Sequence, residues 1–166
     1  MTVGWGKGEV RVPPPHAFRR LHGLPQPESQ MTGHAGVPPE ILARLGSICL
    51  GLPEVREEPA WTGMRWTIRK KNFAHVVKID AGWPPAYARA AGSDGPVLVL
   101  TFRLPAHRLH ARRFTRPPFF RPPWFPDIAG MTLGERVDWD EVADLLTESY
   151  CILAPKKLAG LVDRPA

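Results

Sequence analysis

The fold is decided by the stretch MRWTIRKKNFAHVVKI, residues 64–79. Met64, Trp66 and Ile68 alternate with polar residues, and this period of two is typical of a strand with one buried face. The mostly apolar residues from 73 to 79 predict a second strand. Only residues 69–72 separate the two, and their last residue, an asparagine, tolerates the left-handed conformation that a tight turn requires. The stretch therefore predicts an antiparallel hairpin with a basic tip.

Further elements are predicted on both sides of this hairpin. Short apolar runs suit strands, and apolar residues at a spacing of three to four suit helices with one buried face. The strands cover residues 97–102 and 128–133, and the helices cover residues 39–50, 105–114, 139–154 and 156–161. The helix after Asp138 has the clearest start, because Asp138 can cap it and Glu141 can complete a capping box. Residues 80–95 and the acidic segment 54–58 are predicted to be irregular loops.

The composition fits one globular domain. Of the 166 residues 43% are hydrophobic, which is enough for a single core, and the elements predict an α+β domain over residues 38–166. Residues 1–37 are rich in Gly and Pro and lack periodicity, so we expect a disordered tail there. The two cysteines lack metal-ligand spacing, and we expect neither a metal nor a cofactor. No apolar run reaches the ~18 residues that a membrane span needs, so we expect a cytoplasmic protein without membrane contact.

Charge is segregated along the chain. The formal net charge of +6 and the pI of about 9.8 favour polyanionic partners. Residues 95–126 contain no acid, whereas acids predominate from Asp127 onward. The acid-free span contains Arg103, Arg108, Arg112, Arg113, Arg116 and Arg121. It ends in two Arg-Pro-Pro units, each followed by two aromatic residues, at 116–120 and 121–125. Because proline fixes φ, we expect this stretch to be a stiff, extended loop.

Several of these segments resemble the MmcQ/YjbR family. They are Leu52-Pro53-Glu54-Val55, Lys71-Asn72-Phe73-Ala74, Phe119 to Phe125, and Trp139 through to Leu158. The resemblance runs from about residue 40 to residue 162. It implies a CyaY-like two-layer fold, an antiparallel sheet with helices packed on one face, and a double-wing DNA-binding role. The N-terminal tail, the Gly-Trp-Pro-Pro insertion at 82–85 and the doubled Arg-Pro-Pro unit depart from the family pattern.

These observations favour a non-enzymatic protein that binds nucleic acid, double-stranded DNA in particular. The predicted contacts are cations on the hairpin tip, in the acid-free span and on the last helix, which can meet phosphates, and one ring that can stack on a base. They are Arg69, Lys70, Lys71, Arg112, Arg113, Arg116, Arg121, Trp124, Lys156 and Lys157.

Three other functions stay open from the sequence. The Arg/Pro/aromatic loop can instead close over a planar or anionic ligand, in a pocket lined by Trp124, Tyr150 and an arginine. An association of the family name with mitomycin resistance is compatible with this reading. The same loop can also be the ligand of another protein. An enzyme is least favoured, because His107 and His110 are not part of a recognisable catalytic or metal-binding motif. The oligomeric state is not predicted.

Overall fold

The computed structural model describes residues 36–163. Its strands are β1 Arg56–Pro59, β2 Met64–Ile68, β3 Lys71–Ile79, β4 Val97–Arg103, β5 Phe119–Phe120 and β6 Ile128–Leu133. Its α-helices are α1 Pro39–Leu50, α2 Pro85–Ala91, α3 Ala106–Leu109, α4 Trp139–Leu153 and α5 Lys156–Ala159, with a 3-10 helix at Arg112–Thr115. Most of the predicted tail, residues 1–35, lies outside the described residues. Val37, which the prediction assigned to the tail, is buried in the main core.

The six strands form one antiparallel sheet in the order β1-β2-β3-β4-β6-β5. The predicted α+β fold with an antiparallel sheet is thus confirmed, and the hairpin of β2 and β3 lies within it. Neighbouring strands run in opposite directions, so the turn between β2 and β3 lies at the same end of the sheet as the end of β4 and the start of β6. We call this the hairpin end and the opposite one the far end.

Helices α1 and α4 cover one side of the sheet, which we call the helix face. Trp66 on β2, Val76 on β3 and Leu100 on β4 point to this side and are fully buried together with Leu45 of α1 and Leu146 of α4. Removing these large apolar side chains from water is the main stabilising contribution to the fold. The helix face therefore carries the principal core.

A serine of α4 completes the hydrogen bonding at the point where β3 and β4 separate. The ladder between these strands ends at the pair of Ala74 and Phe102. One residue further on, Ser149 Oγ donates to Phe73 O at 2.6 Å and accepts from Arg103 N at 2.8 Å. The hydroxyl satisfies two backbone groups that the strands no longer pair with each other. It thereby fixes the C-terminal part of α4 at the hairpin end.

The opposite side of the sheet, which we call the aromatic face, is covered by α2 and by the loop that joins β5 to β6. Val77 on β3 and Val99 on β4 alternate with residues of the helix face and pack with Ala88 of α2 in a separate apolar cluster. Phe120 of β5 packs against this cluster, and its ring lies over Gly130, where a Cβ atom would meet the ring at 2.3 Å. The aromatic face has a shorter helix and fewer apolar residues over it than the helix face.

Three segments predicted as loops contain regular structure. Residues 80–95 include α2, because Pro85 fits its first turn and Gly92 ends it in the left-handed conformation, with φ of 70°. Residues 56–58 of the acidic segment, together with Pro59, form β1 at the sheet edge, where pairing with β2 outweighs the low strand propensity of glutamate. The doubled Arg-Pro-Pro stretch contains β5, which pairs with β6. The two strands depend on pairing with distant residues, and the helix is marked only by its boundary residues, so the local sequence pattern predicts none of the three.

Two local predictions also need correction. The left-handed residues of the hairpin turn are Arg69, with φ of 51°, and Lys70, with φ of 69°, rather than Asn72. A two-residue turn of this kind matches the twist of the strands, and basic residues occupy positions that usually favour Gly or Asn. The predicted helix over 105–114 is two short pieces, because Ala111 between them is extended, with ψ of 143°.

Most of the remaining elements agree with the predictions. The helix over 39–50 and the strands over 64–68 and 128–133 have the predicted bounds. Asp138 caps α4 by accepting from the amide nitrogens of Asp140 and Glu141, at 3.0 and 3.2 Å. The last helix is a single turn, shorter than predicted. Within residues 36–163, no helix has the length and apolar character needed to cross a membrane.

Candidate nucleic-acid interface

The hairpin tip presents two lysines to solvent at the hairpin end of the sheet. Lys70 and Lys71 are exposed, and among residues 36–163 neither has a carboxylate oxygen within 4.0 Å of its ammonium group. Arg69, the third predicted contact of the tip, donates from Nε to Glu54 Oε1 at 2.9 Å. Because both partners of this pair are exposed, the pair is weak. Arg69 must still leave Glu54 to meet a phosphate, so the two lysines are better placed.

Two more lysines emerge at the same end of the sheet. Helix α4 runs toward the hairpin end, since Ser149 near its C-terminus binds the end of the β3–β4 ladder and Tyr150 Oη donates to Pro53 O at 2.8 Å. Helix α5 follows directly, so Lys156 and Lys157 lie at this end and are exposed. Neither has an acidic partner in the part of the chain that the structure describes. Four of the predicted contacts thus lie toward the same end of the domain.

Half of the arginines in the acid-free span pair with acids of the C-terminal half. The pairs are Arg103 with Asp127 at 2.7 Å, Arg108 with Glu148 at 2.8 Å, and Arg113 with Glu141. The segregation of charge along the sequence is therefore compensated in part inside the fold. Arg113, a predicted phosphate contact, lies in one of these pairs and over the ring of Phe114, 4.7 Å from its centroid. Arg113 must therefore leave both partners before it can meet a phosphate.

The other three arginines of the span do not converge. Arg112, Arg116 and Arg121 are exposed and have no acidic partner among residues 36–163. Arg116 precedes β5, which starts toward the far end because it runs opposite to β6. Arg121 follows β5 and lines a groove with Arg89 of α2. The ten predicted contacts consequently do not form one continuous surface.

Trp124 is half-buried on the aromatic face. Its ring meets the ring of Tyr87 edge-on, with the centroids 5.0 Å apart. Trp124 lines a small cavity of about 150 Å³ against β3 and β4, together with His75 and Arg103, and an open groove of about 500 Å³ against α2. Tyr150, the partner expected for Trp124 in a ligand pocket, is fully buried on the helix face. The pocket expected with Tyr150 is therefore not formed.

Tyr87 is positioned by a buried histidine. Tyr87 Oη donates to His75 Nδ1 at 3.2 Å, and His75 Nε2 donates to the carbonyl oxygen of Thr62 at 2.8 Å, which can only accept. Burial lowers the pKa of His75, the charge of Arg65 acts in the same direction, and the bond to Thr62 opposes both. Burial raises the pKa of Tyr87 to about 12. Both rings are thus neutral near pH 7, and together they support the indole of Trp124 from one side.

A groove of about 800 Å³ along α4 is acidic. Its lining includes Asp138, Asp140, Glu141, Asp144 and Glu148, against Arg108 and Arg113. With five carboxylates against two guanidinium groups, this lining has a net negative charge, which repels phosphate. His107 and His110, the candidate catalytic pair, are exposed on and beside α3. Among residues 36–163, no group of three or more His, Cys, Asp or Glu side chains could hold a metal ion.

Sequence reasoning missed the side chains that build the aromatic face. His75 lies in a strand that was interpreted only as a core element, and Tyr87 and Arg89 lie in a segment that was interpreted as a loop. The one signal that could have found them is the spacing from Pro85 to Gly92, which marks the two ends of a short helix. The partners of His75 are 12 and 13 residues away in sequence, and no local pattern predicts them.

Comparison with known proteins gives one positive result. The sequence model of a protein family described as YjbR matches residues 50–152, more than half of the chain. This range includes β1 to β6 and almost all of α4. No curated protein and no solved structure matches the chain.

Proposed function

Because the chain belongs to the YjbR family, we propose that it binds nucleic acid, double-stranded DNA in particular, through the lysines at the hairpin end of its sheet. The proposed activity is binding without a chemical step. One observation carries it: Lys70 and Lys71 of the hairpin and Lys156 and Lys157 of α5 emerge at one end of the domain. None has an acidic partner among residues 36–163.

The chemistry of these side chains fits contact with phosphates. A lysine ammonium is a compact, strongly hydrated point charge on a flexible stem, so it meets phosphates without imposing a fixed geometry. Contacts of this kind position a protein on the duplex and do not read its sequence. The hairpin tip projects from the sheet and would act as one wing of the double-wing arrangement that the family resemblance implies. The lysines of α5 would supply a second contact on the same duplex.

The other predicted contacts have smaller parts in this proposal. Arg69 and Arg113 hold carboxylates of the same domain. Arg112 and Arg116 make no phosphate contact in this arrangement and act only through the formal net charge of +6, which attracts DNA at long range. Arg121 and Trp124 face the groove beside α2. A protein that binds DNA in this way would act in the cytoplasm, as expected from the sequence.

Titration of a labelled duplex of ~20 base pairs at two salt concentrations tests the proposal. Because each phosphate contact releases condensed counterions, the affinity must fall steeply between about 50 and 200 mM NaCl. Replacing Lys70 and Lys71 together by alanine removes two such contacts. We expect the slope of log K against log salt to lose about 2 units. The pair Lys156→Ala and Lys157→Ala is expected to behave in the same way.

A matched control removes the same charge from the far end. Arg116 precedes β5, and Arg136 lies between β6 and α4; both are exposed and without an acidic partner in the described range. Changing both to alanine lowers the net charge by the same amount and should leave the salt slope nearly unchanged. Equal losses in the lysine and arginine pairs would mean that only net charge matters. Absence of binding at low salt would reject the proposal.

A further inference from the structure

The groove on the aromatic face has two walls from distant parts of the chain. Its lining consists of Ala86, Arg89 and Ala90 of α2 and Arg121, Pro123 and Trp124 of the β5–β6 loop. The volume of about 500 Å³ lies within the range of about 300–1,000 Å³ that is usual for small-ligand sites. The alanines keep the helix wall low, and an indole lies on the other wall. A flat molecule can therefore lie in the groove against Trp124.

Arg89 and Arg121 give the groove its charge. No carboxylate lines it, and neither arginine has an acidic partner within 4.0 Å among residues 36–163. A guanidinium group presents a planar fork of donors that matches the oxygens of a phosphate or carboxylate. With one such group on each wall, the groove is complementary to an anionic group.

The small cavity next to Trp124 adds a third feature. Its volume of about 150 Å³ is too small for a whole ligand but admits a substituent. Trp124 lines both this cavity and the groove, so a ring that lies against the indole can carry a small substituent.

We propose that this groove binds a planar ring that carries a phosphate or carboxylate, a chemistry that nucleoside monophosphates possess. The ring lies against Trp124, and the anion meets Arg89 and Arg121. Tyr87 already holds the indole in place, so little ordering is needed on binding. This site is separate from the lysines at the hairpin end and does not depend on the DNA-binding proposal.

Isothermal titration of the full chain with defined probes tests the site. The probe is adenosine 5′-monophosphate, with adenosine and inorganic phosphate as incomplete comparators. We expect the nucleotide to bind tenfold or more tightly than either comparator, because only it fills the indole and arginine positions together. If it does not exceed both comparators, the proposal is wrong.

Variants then locate the site. Arg89→Gln and Arg121→Gln change exposed side chains, so folding is retained, and each should weaken the bound probe at least tenfold. Unchanged affinity in both would overturn the assignment even if a probe binds elsewhere. The Lys70→Ala and Lys71→Ala pair should keep this affinity while losing affinity for duplex DNA, which separates the two proposals. A 5′-phosphorylated oligonucleotide that competes with the probe would identify the end of a nucleic-acid strand as the source of the ligand; competition only by free nucleotide would identify a metabolite.

Discussion

The two faces of the sheet differ in what covers them and in how their polar groups are satisfied. On the helix face, Trp66 and Tyr150 are fully buried under α1 and α4. By contrast, three aromatic residues on the aromatic face or at the adjoining far end of the sheet keep about half of their surface exposed. They are Trp61 at 57%, Trp83 at 46% and Phe125 at 52%. Exposed aromatic rings add little to folding stability, whereas they offer contact surface to a partner. Stability is therefore concentrated on the helix face, and the exposed rings elsewhere remain available as contact surface.

The largest difference in stability between the two faces is expected when one tryptophan on each face is replaced. Trp66→Ala removes a fully buried ring and the hydrogen bond from its Nε1 to Glu57 Oε1 at 2.8 Å. We expect a loss of about 3–5 kcal/mol in the free energy of unfolding. Trp124→Ala removes a half-buried ring and its contact with Tyr87, for which we expect about 1–2 kcal/mol. Urea unfolding followed by circular dichroism measures both.

If Trp66→Ala does not fold, Trp66→Phe serves in its place, because it keeps most of the apolar volume. It should still lose more stability than Trp124→Phe, since only Trp66 donates a hydrogen bond from its ring to a carboxylate within the described structure. Similar losses at positions 66 and 124 would contradict the assignment of stability to the helix face.

The second prediction compares one hydroxyl on each face. Ser149→Ala leaves Phe73 O and Arg103 N without their partner, and we expect a loss of about 2–4 kcal/mol, since each unsatisfied buried group costs about 1–3. Tyr87→Phe removes a single hydrogen bond, to His75, and should cost about 1 kcal/mol.

Thr147→Ala is the control for the serine. Its hydroxyl lies on the same helix and donates only to Ala143 O, one turn earlier. We expect the stability to change by less than about 0.5 kcal/mol. A loss at Thr147 equal to that at Ser149 would mean that a change anywhere on α4 disturbs the helix, and that bridging the two strands has no special value.

The helix face could be predicted from the sequence and the aromatic face could not. Alternation in β2, the cap at Asp138 and the apolar spacing of α1 are local signals, and each predicted its element. The cover of the aromatic face depends on a helix of seven residues, too short for a periodic pattern. Ion pairs such as Arg108 with Glu148 join residues 40 positions apart. In the sequence the basic span therefore resembles a free surface, whereas in the fold half of its arginines pair with acids, two of which lie on α4.

The third prediction uses pH to weaken the aromatic face alone. Burial lowers the pKa of His75, so the unfolded chain binds a proton at a higher pH than the folded protein does. Above the ordinary histidine pKa of about 6.5, His75 causes no pH-dependent loss of stability. Below that pH, the free energy of unfolding falls by at most about 1.4 kcal/mol per pH unit until the lowered pKa of the folded state is reached. The charged and titratable groups facing the ring are Arg65 on β2, Tyr87 on α2 and Arg103 on β4.

Urea unfolding at several pH values between about 7.5 and 5 measures this dependence. His75→Gln removes the titrating group and should flatten the curve, although it also lowers the stability at neutral pH. His107→Gln changes an exposed histidine beside the hairpin end of the sheet and serves as the control. If stability falls equally steeply with pH in the wild type and in His75→Gln, the imidazole is not the source of the acid sensitivity. The series of contacts from Thr62 through His75 and Tyr87 to Trp124 would then not couple to folding.

The smallest expected effect concerns the rim of the helix face, where Arg113 of the 3-10 helix pairs with Glu141 of α4. The two side chains are 48% and 31% exposed, so water and salt screen the pair. A double-mutant cycle with Arg113→Ala and Glu141→Gln should give a coupling of about 0.5–1 kcal/mol that shrinks in ~1 M NaCl. Arg113 also lies over Phe114 and Phe119, and that contact remains in Glu141→Gln.

Arg112→Ala is the control. Arg112 is next in sequence and has no acidic partner among residues 36–163, so its replacement should leave stability unchanged. A coupling of zero would mean that the arginine and the acidic helix are neighbours without being partners, and Arg113 would then return to the set of cations that are free to meet a phosphate.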